Sequence, residues 1–128
     1  MSTTPRILII DDDPMLRVLL VTLLRPYYVV AVAADGREGL QKAMEHPPDV
    51  ALVDIQMPGW DGVRTVQEFH TQSSLQNVKI IMVTADATAA SVIAAVHAGA
   101  QDYVLKSSVS REYLREKIER ILKGEARL

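Results

Sequence analysis

Five short apolar runs recur along the chain, at Arg6–Ile10, Tyr28–Ala33, Val50–Asp54, Val78–Val83 and Tyr103–Leu105. They are rich in Ile and Val and do not alternate with polar residues, the pattern of strands buried on both faces of a parallel sheet. Helical patterns fill the intervals. Leu16, Leu19, Leu20, Leu23 and Leu24 fall at helical spacing, and Pro26 closes that segment. Asp35, with Glu38 three residues on, has the form of a capping box, and Leu40 and Met44 are expected to face inward before His46-Pro47-Pro48 stops the helix. A third helix is expected from about Asp61 to His70, with a polar exit loop over Thr71–Asn77. A fourth spans about Thr88–Ala98, with Gly99 placed as its C-terminal cap. The last starts at Ser110 and carries Tyr113, Leu114, Ile118, Ile121 and Leu122 on one face. Five alternations of strand and helix predict a three-layer α/β domain with a parallel sheet, its right-handed crossovers placing helices on both faces.

The chain has 128 residues, enough for one domain with a sizeable core, and no linker-like stretch or internal repeat divides it. A net charge of −2 argues against a nucleic-acid surface, which needs clustered Lys and Arg. With no cysteine, disulfides, zinc thiolates and thiol catalysis are excluded. The apolar run in MSTTPRILII is too short for a signal peptide or a membrane span, so the cytoplasm is the expected compartment.

In such an architecture ligands bind at the carboxyl ends of the strands. The first strand ends in Asp11-Asp12-Asp13, the third in Asp54, the fourth in Thr84 and the fifth in Lys106. Crowded carboxylates repel one another and call for a cation, and hard oxygen ligands select Mg²⁺ or Mn²⁺. Asp13 precedes Pro14 and reads as a helix N-cap with Pro at the first helical position. Asp11 and Asp12 could be solvated loop residues, but an acidic pair ending a buried strand is costly without a cation. A carboxylate such as Asp54, held beside a divalent cation, can attack a phosphoryl group and form an acyl phosphate. Lys106 would add a second point charge and Thr84 a hydroxyl hydrogen bond.

The segments ILIIDDDP, DGREGLQKA, ALVDIQMPGWDG, IIMVTAD and AGAQDYVLK resemble the receiver (CheY-like) domain of two-component response regulators, over essentially the whole chain. The resemblance implies a flavodoxin-like (βα)5 fold with strand order 2-1-3-4-5, and a single receiver domain over residues 1–128, with 124–128 a polar tail or the start of a linker. It implies Asp54 as phosphoacceptor, and Mg²⁺, with Mn²⁺ able to substitute, held by Asp11, Asp12, Asp54 and the backbone carbonyl of Gln56. Thr84 resembles the switch hydroxyl, Tyr103 the switch aromatic, and Lys106 the lysine that pairs with the phosphoryl group. Gln56 and Asp86 match the positions that tune the lifetime of the acyl phosphate. The donor would be a histidine kinase or phosphotransfer protein. Output would leave through the fourth helix, fifth strand and fifth helix to a partner or fused effector, with no direct nucleic-acid or membrane binding. Self-phosphorylation and self-hydrolysis are the only turnover implied, which is that of a switch and not of an enzyme.

One position departs from the family pattern. Many receivers follow the lysine with a cis proline, whereas Ser107 follows Lys106 here. A cis bond before a non-proline costs ~3 kcal/mol, so a trans bond is expected.

Trp60, six residues past Asp54, reads as a packed aromatic and a natural fluorescence reporter. His46, His70 and His97 fall at or near helix ends, a position the helix dipole favours for histidine, and an exposed structural role is expected for each. From Ala87 to Ala100 no Asp, Glu, Lys or Arg occurs, so the fourth helix lacks the charged outer face a surface helix usually shows, and Ile93 is a candidate for contact with a partner.

Three other functions compete. A Mg²⁺-dependent phosphohydrolase would need a second acid to activate water, and Asp61 and Asp86 are weakly placed for it. A flavin or nucleotide carrier would have a first loop rich in Gly, Ser and Thr, where this chain has DDDPM. A pure interaction module would not need the complete set of acids, Thr84 and Lys106.

Overall fold

The computed structural model describes residues 3–86 and 88–124. Strands β1 (Arg6–Ile10), β2 (Val29–Ala33), β3 (Val50–Asp54), β4 (Lys79–Thr84) and β5 (Asp102–Leu105) alternate with helices α1 (Pro14–Leu24), α2 (Gly36–Glu45), α3 (Gly62–His70), α4 (Ala89–Ala98) and α5 (Arg111–Leu122). All strand pairs are parallel, in the order β2-β1-β3-β4-β5. The fold is therefore the five-stranded, flavodoxin-like one that the sequence predicts. Among the described residues, no helix is long and apolar enough to cross a membrane.

Alternate residues of each strand face opposite sides of a sheet. Leu8, Ile10, Ala51, Val53, Ile80 and Met82 accordingly join one core with Ala43, Val66, Phe69 and Ala95 of α2, α3 and α4. Ile7, Ile9, Val50, Leu52, Ile81 and Val83 join a second core with Leu20 and Leu24 of α1 and Leu114, Ile118 and Ile121 of α5. Burial on both sides is complete for β3, all five of whose residues are buried. It fails at β2, where Val29 and Ala31 are exposed, and at β5, where Tyr103 and Leu105 are only half-buried. Both strands lie at the edges of the sheet, where one side of the ladder has no neighbour. A similar correction applies to the helices. Leu19, Met44 and Leu122 face outward, whereas Leu40, half-buried, packs against the core as expected. α2 meets the sheet through Gly39 and Ala43 instead, while Gly36 packs toward Trp60 and Thr65. A Cβ on Gly39 would stand 2.4 Å from Ile10 Cδ1, so the helix lies closer to the sheet than a Leu or Met face would permit.

The helix starts follow local chemistry. Asp13, Asp35, Asp61, Thr88 and Ser110 each cap a helix N-terminus through the side-chain oxygen. Glu38 closes the α2 box on the N–H of Ala34 rather than on the cap residue itself. Gly99 ends α4 at φ +100°, the left-handed conformation of a C-terminal cap. The Lys42 ammonium reaches over the outer edge of β2 and donates to the Val32 carbonyl. No cis peptide occurs among the described residues, and the chain leaves β5 through a 3-10 turn at Lys106–Ser108. The expected tail at 124–128 lies, beyond Gly124, outside the described residues.

Candidate functional site

β1 and β3 are neighbours, and their carboxyl ends place Asp11 and Asp54 side by side. Both are buried, at 1% and 2% exposure, whereas Asp12 is exposed. Carboxylate oxygens of Asp11, Asp12 and Asp54 lie within 4.8 Å of one another. Lys106, at the end of β5, reaches across β4 and puts its Nζ 3.1 Å from Asp54 Oδ2 and 3.7 Å from Asp11 Oδ2. The Asp13 N–H donates to Asp11 Oδ1 at 2.9 Å, and the Gln56 N–H to Asp54 Oδ1 at 3.3 Å. Asp11 Oδ2 is buried and has no hydrogen-bond partner.

This arrangement shifts the protonation of its members. Burial, and then the Asp11 charge, push the Asp54 carboxyl up to about 6, against the pull of Lys106 and the Gln56 N–H. Burial also raises Asp11, opposed by the Asp13 N–H and Lys106. Burial alone would lower Lys106, but the Asp54 hydrogen bond and the charges of Asp54, Asp11 and Asp12 outweigh it and hold the ammonium above its ordinary value. One ammonium faces three carboxylates, so the site remains anionic. A buried carboxylate oxygen without a donor, in an all-oxygen acidic cluster, fits a hard divalent cation such as Mg²⁺.

The remaining candidates sit further from this cluster. Thr84 is buried at the end of β4, and its hydroxyl donates to the Asp86 carbonyl at 2.8 Å while accepting the Asp86 N–H at 3.1 Å. Its side chain thus engages its own loop and not Asp54 or Lys106. Tyr103 is half-buried against the α2–α3–α4 core, with Lys117 Nζ 5.5 Å from its ring. The side chains of Gln56 and Asp86 are exposed. His46, His70 and His97 are exposed at helix ends, as expected.

Sequence reasoning missed Arg17, whose guanidinium donates to the Asp11 carbonyl at 2.8 Å and ties the acidic loop to α1. A signal was present. A cation in the first turn of a helix opposes the helix dipole, so it calls for a local acceptor. Arg37 and Arg64, which lie over the Trp60 ring at 4.9 Å each, were missed too, because they come from two different helices.

The family model for the response regulator receiver domain matches residues 7–119. The chain belongs to the response regulator receiver family. This receiver is 36% identical over 103 residues to the chemotaxis protein CheY of Bacillus subtilis, covering 79% of this chain and 84% of that protein. It is 36% identical over 126 residues to the transcriptional regulatory protein LiaR of the same organism, covering 96% of this chain and 58% of LiaR. It spans about half the length of several of the curated regulators it matches. Its fold superposes with a TM-score of 0.86 on the receiver domain of the sensor histidine kinase PA1611 from Pseudomonas aeruginosa, crystallised with a magnesium ion coordinated in its active site cleft. That similarity is at 28% identity and covers 94% of this receiver and 99% of the other chain. Membership of the family implies phosphorylation-dependent signalling in a two-component system.

Proposed function

We propose that this receiver is switched by phosphorylation of Asp54. The observation that carries the reading is the Asp54 carboxylate, buried at the end of β3, bonded to Lys106 and grouped with Asp11 and Asp12. With its carboxyl titrating near 6, Asp54 is mostly ionised at neutral pH and can act as a nucleophile. An Asp54 oxygen attacks the phosphorus of a phosphohistidine on a histidine kinase or phosphotransfer protein. The phosphorus–nitrogen bond breaks, the imidazole leaves with the electron pair, and an acyl phosphate remains. Asp11, Asp12, Asp54 and the Gln56 carbonyl would hold Mg²⁺, or Mn²⁺ in its place, which when bound offsets the charge of the phosphoryl oxygens. Lys106 exchanges its carboxylate partner for a phosphoryl oxygen.

Thr84 must give up both bonds to Asp86 before its hydroxyl can reach the phosphoryl group, so the β4–α4 loop moves with it. Tyr103 then follows inward, and Gln56 and Asp86, exposed beside the site, set how long the acyl phosphate lasts. The change is read at α4, β5 and α5, where Ile93 and Val96 are exposed on a helix without Asp, Glu, Lys or Arg.

The test is intact mass after incubation with acetyl phosphate and Mg²⁺, beside Asp54→Asn and a chelator control. One phosphoryl gain that requires both Asp54 and Mg²⁺ is expected. Persistent labelling of Asp54→Asn would overturn the assignment.

A further inference from the structure

We propose that Trp60 is a positioning residue for the metal site, holding the loop between β3 and α3 so that the Gln56 carbonyl points where a cation can use it. This inference rests on the reading that Gln56 completes the Mg²⁺ ligands. A backbone carbonyl has no rotamer of its own. Its position is set entirely by the conformation of the loop that carries it.

The loop, residues 55–61, is tied near Asp54. The Ile55 N–H donates to the Val83 carbonyl at 3.0 Å, the Gly62 N–H to the Ile55 carbonyl at 2.8 Å, and the Met57 side chain is buried. Pro58 and Gly59 are exposed, and Gly59 adopts a φ of +74°. Between Met57 and the α3 cap at Asp61, Trp60 is the side chain that anchors the loop to its surroundings. The guanidinium carbons of Arg37, on α2, and Arg64, on α3, each lie 4.9 Å from its ring centroid. Among the described residues neither arginine pairs with a carboxylate, so both charges are directed at the indole. The indole Nε1 is buried without an acceptor, which leaves packing and cation contact as the forces that hold the ring.

Gly36 completes the arrangement. A Cβ there would stand 3.0 Å from Trp60 Cβ and 2.2 Å from Thr65 Oγ1. The start of α2, the loop and the first turns of α3 therefore meet at one point, with Trp60 between the two helices. Without the indole the loop samples other conformations, and a site competent a fraction of the time binds its cation more weakly in proportion.

The experiment titrates Mg²⁺ alone into the protein by isothermal calorimetry, and measures acetyl phosphate labelling of Asp54 against Mg²⁺ concentration. Trp60→Ala is expected to weaken Mg²⁺ binding about five- to tenfold, and to raise the half-maximal Mg²⁺ concentration equally, while labelling at saturating Mg²⁺ keeps its wild-type rate. Trp60→Phe, which keeps a flat ring, should restore affinity to within about twofold. The Arg37→Ala, Arg64→Ala double variant, which leaves the indole in place, should fall between them and serves if Trp60→Ala does not fold. Leu24→Ala, in the core on the other face of the sheet, controls for general loss of stability and should leave Mg²⁺ affinity unchanged. Unchanged affinity in Trp60→Ala, or an equal loss in Leu24→Ala, would overturn the positioning role while leaving the site reading intact. A wild-type protein that takes up no Mg²⁺ would overturn the site reading, and this inference with it.

Discussion

Lys106 Nζ bonds Asp54 Oδ2 at 3.1 Å across 52 residues of sequence, yet the carboxylate it contacts still titrates near 6. Desolvation and the Asp11 charge outweigh the ion pair. The folded protein thus binds a proton at Asp54 more tightly than the unfolded chain does, whose aspartate titrates near 4. The stabilisation from that proton is complete below pH ~4 and is lost as pH rises through about 6. In chelator at pH 7.5, Asp54→Asn should therefore be more stable than wild type, by about 3 kcal/mol. The gap should close as pH falls toward 4. Thermal melts of both proteins across that range check it, and a gap that widens on acidification would contradict the burial argument.

Mg²⁺ should offset that difference. A cation that binds only the folded state adds about 2.7 kcal/mol at a hundred times its dissociation constant. Melts at rising Mg²⁺ should show a climbing transition for wild type and little change for Asp11→Asn, which weakens the cluster that holds the unpartnered Oδ2. Equal shifts in the two proteins would place the cation elsewhere.

Gly62 packs against the backbone of Asp54 itself. A Cβ there would stand 2.3 Å from the Asp54 carbonyl oxygen and 2.7 Å from Ile55 Cα, and backbone cannot yield as a side chain can. Gly62→Ala is expected to cost ~1–3 kcal/mol in urea unfolding and to reduce Asp54 labelling. Gly59→Ala is the contrast. Nothing lies within 4 Å of its Cβ, so only the strain of φ +74° applies, about 1–2 kcal/mol.

Asp102, buried at the start of β5, pairs with Lys117 of α5 at 2.9 Å, and its Oδ2 already lacks a partner. Lys117→Met strands that charge and should cost about 3 kcal/mol by chemical denaturation. Adding Asp102→Asn, which keeps an acceptor for the Tyr103 N–H, should recover part of the loss.

The strands and the acidic edge were legible because both are local signals: apolar runs, and what stands at their ends. Asp11, Asp12, Asp54 and Lys106 meet because parallel strands bring like ends together. Edge position is not local, so β2 and β5 read like buried strands although one side of each ladder is open. Leu40 does pack against the core, but Met44 looked like part of the inner face of α2 because hydrophobicity marks burial on average, whereas here close approach to Ile10 selects glycine. The Thr84 hydroxyl was placed on the right strand, but its bond to Asp86 depends on a loop conformation that residue type does not encode.

Lys42 has a consequence of its own. The Val29 N–H donates to Pro5 and the Ala33 carbonyl accepts from Asp11, so residues 29, 31 and 33 turn their backbone groups toward β1. Val30 and Val32 therefore turn theirs outward, along a rim where a foreign strand could add itself and begin a larger sheet. By seating an ammonium on the Val32 carbonyl, α2 removes one rung of that ladder and leaves a charge in its place, a guard against self-templated aggregation.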